Sequence, residues 1–276
     1  MDLAKHGPSG VTYLAIEFQR LDPVERERLR EQLVCTGCEA AAYYVPPTKR
    51  GTCYFGARPH NVGCTLAAPE GAHSPSSLPE AEQRAIASGT WRLRPHRPQG
   101  RSQHHLEQDP DAAPHEGKGR RYTQAPGARR STPSVGFLSL LTKLEEDPAF
   151  ASSTDTIELP SGRGTARVRS YCVNVVDVTE ELVNRRKLYW GTIYKPGEVW
   201  DGGRWLYTQW GSPNVLLSAD MLQLVMEDND MDSVEEFSGA SFLHLGYLNR
   251  SREGGTTYFK PKEPEWFAVR LDPDRN

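Results

Sequence analysis

Cys35, Cys38, His60 and Cys64 stand close together in one run, CTGCEAAAYYVPPTKRGTCYFGARPHNVGC. Thiolate and imidazole donors at such spacing can close a tetrahedral zinc site, so a stretch this poor in branched aliphatic residues is expected to fold around a metal ion. The Cys35-x2-Cys38 pair puts two thiolates on one tight turn, and His60-x3-Cys64 brings a second pair to meet them. Cys53 is the alternative fourth ligand and would make the site all-cysteine. His60 is preferred, because Cys53 lies in Thr52-Cys53-Tyr54-Phe55, which reads as a strand with alternate residues buried, a setting that suits a packed thiol. A cluster of merely buried or redox-active thiols is the competing account. Of the five cysteines only Cys172 is remote. That is no even disulfide framework, and a reducing, cytoplasmic setting is expected.

The chain reads as three regions: a zinc-binding module over 1–68, a disordered linker over 69–133 and a β-rich domain over 134–276. In the first, Val11 to Phe18 is a strand candidate. Asp22 is a plausible N-cap, with Pro23 at the first helical position and Glu25 three residues past the cap, so a helix should lead into Cys35. The second region mixes Pro, Gly, Ser, His, Gln and Arg with few branched aliphatics, too little apolar surface to offset its chain entropy. Leu78 to Ile86 could add a helical turn or two. The basic stretches Trp91 to Arg97, Gly119 to Tyr122 and Arg129-Arg130 suit solvated linker or weak phosphate contacts, and His104, His105 and His115 read as polar filler.

In the third region Phe137, Leu138, Leu140, Leu141 and Leu144 repeat at helical spacing and stop before Pro148. Strand-like runs follow at Arg167 to Thr179, Lys187 to Lys195, Arg204 to Gln209 and Asn214 to Leu217, with Asp201-Gly202-Gly203 as a hairpin turn. Ser218 caps a helix carrying Met221, Leu222, Leu224 and Val225. Strands at Ser241 to Leu248, Thr256 to Phe259 and Trp266 to Leu271 complete the chain. The fold class is α+β, mainly β, and the element order matches an OB-like five-stranded barrel with a helix between strands three and four. Another compact α+β sheet is the alternative.

Aromatic residues concentrate in the second and third of these strands. Trp190, Tyr194, Trp205 and Tyr207 are candidates to stack on unpaired bases, with Lys187, Arg250 and Arg252 meeting phosphates and Lys49, Arg50 and Arg58 adding contacts beside the metal. Alternation means that about half of these rings must point inward. The same Trp, Tyr and Arg clustering suits a protein–protein hot spot. A formal net charge of −3 supplies no overall attraction to nucleic acid, so local surfaces must do so. No run is long enough to span a bilayer, and no membrane association is expected. A catalytic role is not expected: Gly162-Arg163-Gly164 and Gly254-Gly255 lack phosphate-loop context, and Cys172 and His244 lie in strands without a catalytic partner.

The CxxC pair, the basic strand and the aromatic run leading to a His and a Cys, here Lys49-Arg50-Gly51-Thr52-Cys53-Tyr54-Phe55-Gly56-Ala57-Arg58-Pro59-His60, resemble the N-terminal zinc-binding part of the competence CoiA-like family. The resemblance covers about thirty residues and implies DNA handling, with a nuclease-like domain after the zinc module. The chain departs from that pattern in lacking a Glu-x-Lys in a strand near a suitable Asp; Asp177 with Glu180 and Glu181 is the nearest carboxylate group. The sequence therefore points to a zinc-stabilised binder of single-stranded DNA or RNA. A protein-binding adaptor is the first alternative and a metal-dependent nuclease the second.

Overall fold

The computed structural model describes residues 1–48, 52–58, 60–61, 63–66, 89–96, 134–159, 164–251 and 255–271. Near the N-terminus β1 (Leu3–His6) pairs antiparallel with β2 (Thr12–Leu14) on one edge and β3 (Leu33–Cys35) on the other. The strand expected from Val11 to Phe18 ends at Leu14 and passes straight into α1 (Ala15–Arg20). Ala15 and Phe18, three residues apart, are both buried, a spacing that a helix satisfies and a strand does not. α2 (Pro23–Arg30) starts as its sequence dictates: Asp22 Oδ1 accepts the Val24 amide at 2.9 Å, and Pro23 fills the position that needs no donor. A hairpin of β4 (Tyr43–Val45) and β5 (Tyr54–Gly56) then brings Tyr44 and Phe55 onto Phe18, with ring centroids 5.1 and 5.4 Å from it.

The stretch read as linker contributes to the core. Within it, β6 (Thr90–Leu93) buries Trp91 and Leu93 and turns Arg92 outward to Glu158 at 2.6 Å. β6 lies parallel to both β7 (Ser134–Val135) and β8 (Thr156–Glu158), and β9 (Thr165–Arg167) completes the sheet. Trp91 packs its ring on Phe150 and donates its indole N–H to Asp155 at 3.0 Å. Only two apolar residues in four carry this strand, so composition averaged over the surrounding polar sequence hides it. The helix proposed at Leu78 to Ile86, the basic stretches at 119–122 and 129–130, and His104, His105 and His115 lie outside the described residues.

α3 (Phe137–Glu146) forms as its apolar spacing requires, burying Phe137, Leu140, Leu141 and Leu144 and leaving Leu138 exposed. The short α4 (Pro148–Ala151) follows, capped by Asp147. The long strand expected from Arg167 to Thr179 is broken into a helical turn, α5 (Val168–Tyr171), β10 (Cys172–Asn174) and a 3-10 turn at Val175–Asp177. Asn174 Oδ1 accepts the Val176 amide at 3.2 Å, offering the backbone a local bond in place of the ladder.

The main sheet is built on β15 (Ser241–Arg250). One edge pairs with β11 (Arg186–Thr192); the other pairs first with β17 (Phe267–Arg270) and then with β16 (Thr257–Phe259). Beyond β16 follow β14 (Asn214–Leu217), β13 (Gly203–Tyr207) and β12 (Lys195–Trp200), while β10 runs parallel to β11 at the far edge. Asp201 and Gly202, both at positive φ, make the β12–β13 turn foreseen from the sequence. α6 (Ala219–Asp228) sits between β14 and β15, with Ser218 Oγ accepting the Met221 amide at 3.3 Å. The architecture is mixed α+β with open sheets. Among the described residues β10 and β12 do not pair, so the closed five-stranded barrel is not what these strands build. One face of the sheet packs Phe242, Leu248 and Phe259 with Met221 and Val225 of α6; the other packs Leu188, Leu243 and Leu245 against Leu140, Leu144 and Trp91. No described helix is long and apolar enough to cross a membrane.

Candidate metal centre and adjoining aromatic cleft

Cys35 closes β3 and Cys38 lies in the turn that follows. That turn is fixed by two backbone bonds, Cys35 N–H to Ala40 O at 2.8 Å and Glu39 N–H to Cys35 O at 3.0 Å, with Glu39 at φ 58° held by Lys5 at 2.5 Å. His60 and Cys64 come from the chain after β5, and the Asn61 side-chain amide donates to Cys38 O at 2.6 Å, tying the two segments together. The four donor atoms lie within 4.8 Å of one another and could hold a metal ion. Cys35 Sγ stands 3.8 Å from Cys64 Sγ, and Cys38 Sγ stands 3.4 Å from His60 Nδ1. A Cβ at Gly37 would meet Cys64 Sγ and the Leu66 side chain at 3.3 Å, a tight contact to which both would have to give by a few tenths of an ångström, so glycine lets the two segments approach closely.

Desolvation raises both CxxC thiols. At Cys38 the Ala40 amide, the His60 ring and the Asn61 amide outweigh it and bring the group to about 6. At Cys35 desolvation prevails over the Gly37 and Cys38 amides, and the thiol sits above its ordinary value. Cys53 is not part of the donor group; it packs, partly buried, on the core of Phe18 and Phe55. Cys172 is a buried thiol raised by desolvation. Among the described residues the cysteine–histidine group is the one set of three or more potential metal ligands, and Asp177, Glu180 and Glu181 form none.

The residues expected to meet nucleic acid are dispersed. Trp190 faces Leu243 across the sheet and packs on the core beneath α3. Lys187 donates to the Ser170 carbonyl, and Arg250 is paired with Glu180. Trp205 meets Tyr258 edge to face at 5.7 Å on the sheet surface away from α6. Arg58 is partly buried between β5 and His60, and Lys49, Arg50 and Arg252 lie outside the described residues.

Tyr194 and Tyr207 are brought together. They line a cleft of about 640 Å3 between the N-terminal module and the sheet, facing Tyr43 and Tyr44 of β4. Tyr194 stacks at a tilt on Tyr43, centroids 5.0 Å apart, and donates its hydroxyl to Ala41 O at 3.3 Å; burial raises its pKa. Lys195 bridges to Glu27 and, at 3.2 Å, to Glu31, while Arg30 reaches Glu27 at 3.4 Å and Ser238 Oγ at 3.4 Å. Partial burial works to raise the Glu27 pKa, but Lys195 and Arg30 prevail and hold the carboxyl below its ordinary range. Sequence reading missed this cleft, because its walls lie far apart in the chain. The one local signal was Trp210, a tryptophan in a Gly-Ser-Pro loop. No family model matches the chain, and no curated protein matches it.

Proposed function

We propose that this chain is a zinc-stabilised, non-enzymatic protein that binds single-stranded DNA or RNA. The observation that carries the metal half is the edge length of the donor cluster. A tetrahedral zinc with bonds of about 2.3 Å to sulfur and about 2.0 Å to nitrogen has S–S edges of about 3.8 Å and S–N edges of about 3.5 Å. The Cys35–Cys64 and Cys38–His60 separations are 3.8 and 3.4 Å. Cys35, Cys38, His60 and Cys64 would supply all four ligands and leave no position for a substrate, which makes the zinc a staple. Reduced thiols at such a site agree with a cytoplasmic location.

Support for nucleic acid comes from the rings on the β12–β13 side of the sheet, Trp205 on its surface and Tyr194 and Tyr207 in the cleft. Lys187, Lys195 and Arg250 already have protein partners, so stacking outweighs phosphate contact. Titration of the full chain with a labelled single strand at two salt concentrations tests the reading. Binding with a shallow salt slope is expected, and absence of binding at low salt overturns it. A protein partner is the second reading, favoured by Val199 and Trp200, which are 60% and 64% exposed side by side at the tip of β12.

A further inference from the structure

The cleft between module and sheet has the size, lining and charge of a small-molecule site. Its volume of about 640 Å3 falls within the range of about 300–1,000 Å3 usual for such sites. Its rim is set by a turn in which Ser212 N–H bonds Gln209 O at 2.9 Å and Gly211 takes φ 82°, which throws Trp210 outward at 77% exposure. Thr208 anchors that turn twice, donating its backbone N–H to Asn214 Oδ1 at 3.1 Å and its hydroxyl to Pro213 O at 3.0 Å. A large indole thus projects into water from a hydrogen-bonded turn beside a tyrosine-lined hollow, a placement that burial against a flat ligand would reward.

The charges in the lining are already satisfied. Of the lining, Arg30 pairs with Glu27, which lies outside it, and Lys195 pairs with Glu27 and with Glu31 of the lining, so an anionic group entering here would have to break existing pairs. Gln209 accepts the Tyr194 hydroxyl at its amide oxygen, 3.5 Å, its NH2 has no partner among the described residues, and Ser212 and Thr257 offer hydroxyls in the same lining. A flat, uncharged molecule with donors and acceptors along its edge meets each of these features. We infer that the cleft accepts a single uncharged nucleobase, stacked by Trp210 and read at its edge by Gln209, an assignment that rests on the strand-binding reading of Tyr194 and Tyr207.

Calorimetric titration of the full chain and of Trp210→Ala with the four ribonucleosides, alongside a single-stranded oligonucleotide, tests this. Trp210 is exposed, so the variant should keep the parent's thermal transition. The expected result is binding of at least one nucleoside, weakened about fivefold or more in Trp210→Ala. Nucleoside binding unchanged in the variant overturns the assignment. Oligonucleotide binding without nucleoside binding overturns it while leaving the strand-binding reading standing; nucleoside binding lost in the variant, with no oligonucleotide binding, does the reverse. No binding of either removes both.

Discussion

The N-terminal module and the sheet that follows hold themselves together differently. In the module, strands of three or four residues and two short helices bury a small group centred on Phe18, Tyr44 and Phe55, and the loop carrying His60 and Cys64 meets the Cys35–Cys38 turn mainly through donor atoms and one Asn61 bond. In the sheet, a ten-residue strand supports apolar clusters on both faces, and no metal donor is involved. Elements too short to bury much surface need a cross-link, whereas a long central strand with covered faces does not. The two regions meet through the Lys195 pairs and the Tyr43–Tyr194 contact, so a module held by the proposed metal would pass that dependence on to the cleft wall.

Metal removal should separate the two regions most sharply. A strong chelator, or Cys64→Ser, is expected to release one zinc per chain and to melt the module while the sheet keeps its cooperative transition; structural zinc in small modules is worth about 10–16 kcal/mol in apparent binding. Zinc analysis with hydrogen exchange over 1–66 and 241–250 checks it, and unchanged protection in the module would end the contrast. Next in size, Trp91→Ala should cost about 3–5 kcal/mol in urea unfolding, since it empties a buried site and strands Asp155. A loss under about 1 kcal/mol would return β6 to the status of linker.

Acid separates the regions in a third way. His244 is buried between Phe259 and Phe267, and desolvation outweighs a hydrogen bond to the Trp266 backbone and lowers its pKa from 6.5 to about 4. The unfolded chain therefore takes up the proton first. Stability contributed by the neutral ring is present above pH 6.5 and is lost progressively as pH falls through 4, by about 3 kcal/mol in all. Urea midpoints of the sheet at pH 7 and pH 5 measure it, and His244→Gln should flatten the slope. An equal slope in the variant would assign the acid sensitivity to another group.

Much of this was legible in the chain. The donor set Cys35, Cys38, His60 and Cys64, the Asp22 and Ser218 caps, the apolar stripe of α3 and the Asp201-Gly202 turn depend on residues a few positions apart, or on side-chain chemistry with few other uses. The fate of Arg167 to Thr179 was not legible, because β-branched propensity expresses packing context more than backbone preference. Nor was the partial burial of Trp190 or the neutralisation of Arg250 by Glu180, since each is decided by a neighbour distant in sequence.

What the sequence alone determined, then, is local: which side chains could grip a metal, where helices start and which stripe they bury. Tertiary structure decided the rest. It drew Trp91 out of a polar stretch through strand partners more than forty positions away, opened the sheet instead of closing it, and assembled the cleft from β4, α2 and the loop around Trp210. The physical reason is common to all three: strand pairing and cavity walls are contacts between segments remote in the chain, and their energies depend on what each segment meets, which no single segment encodes.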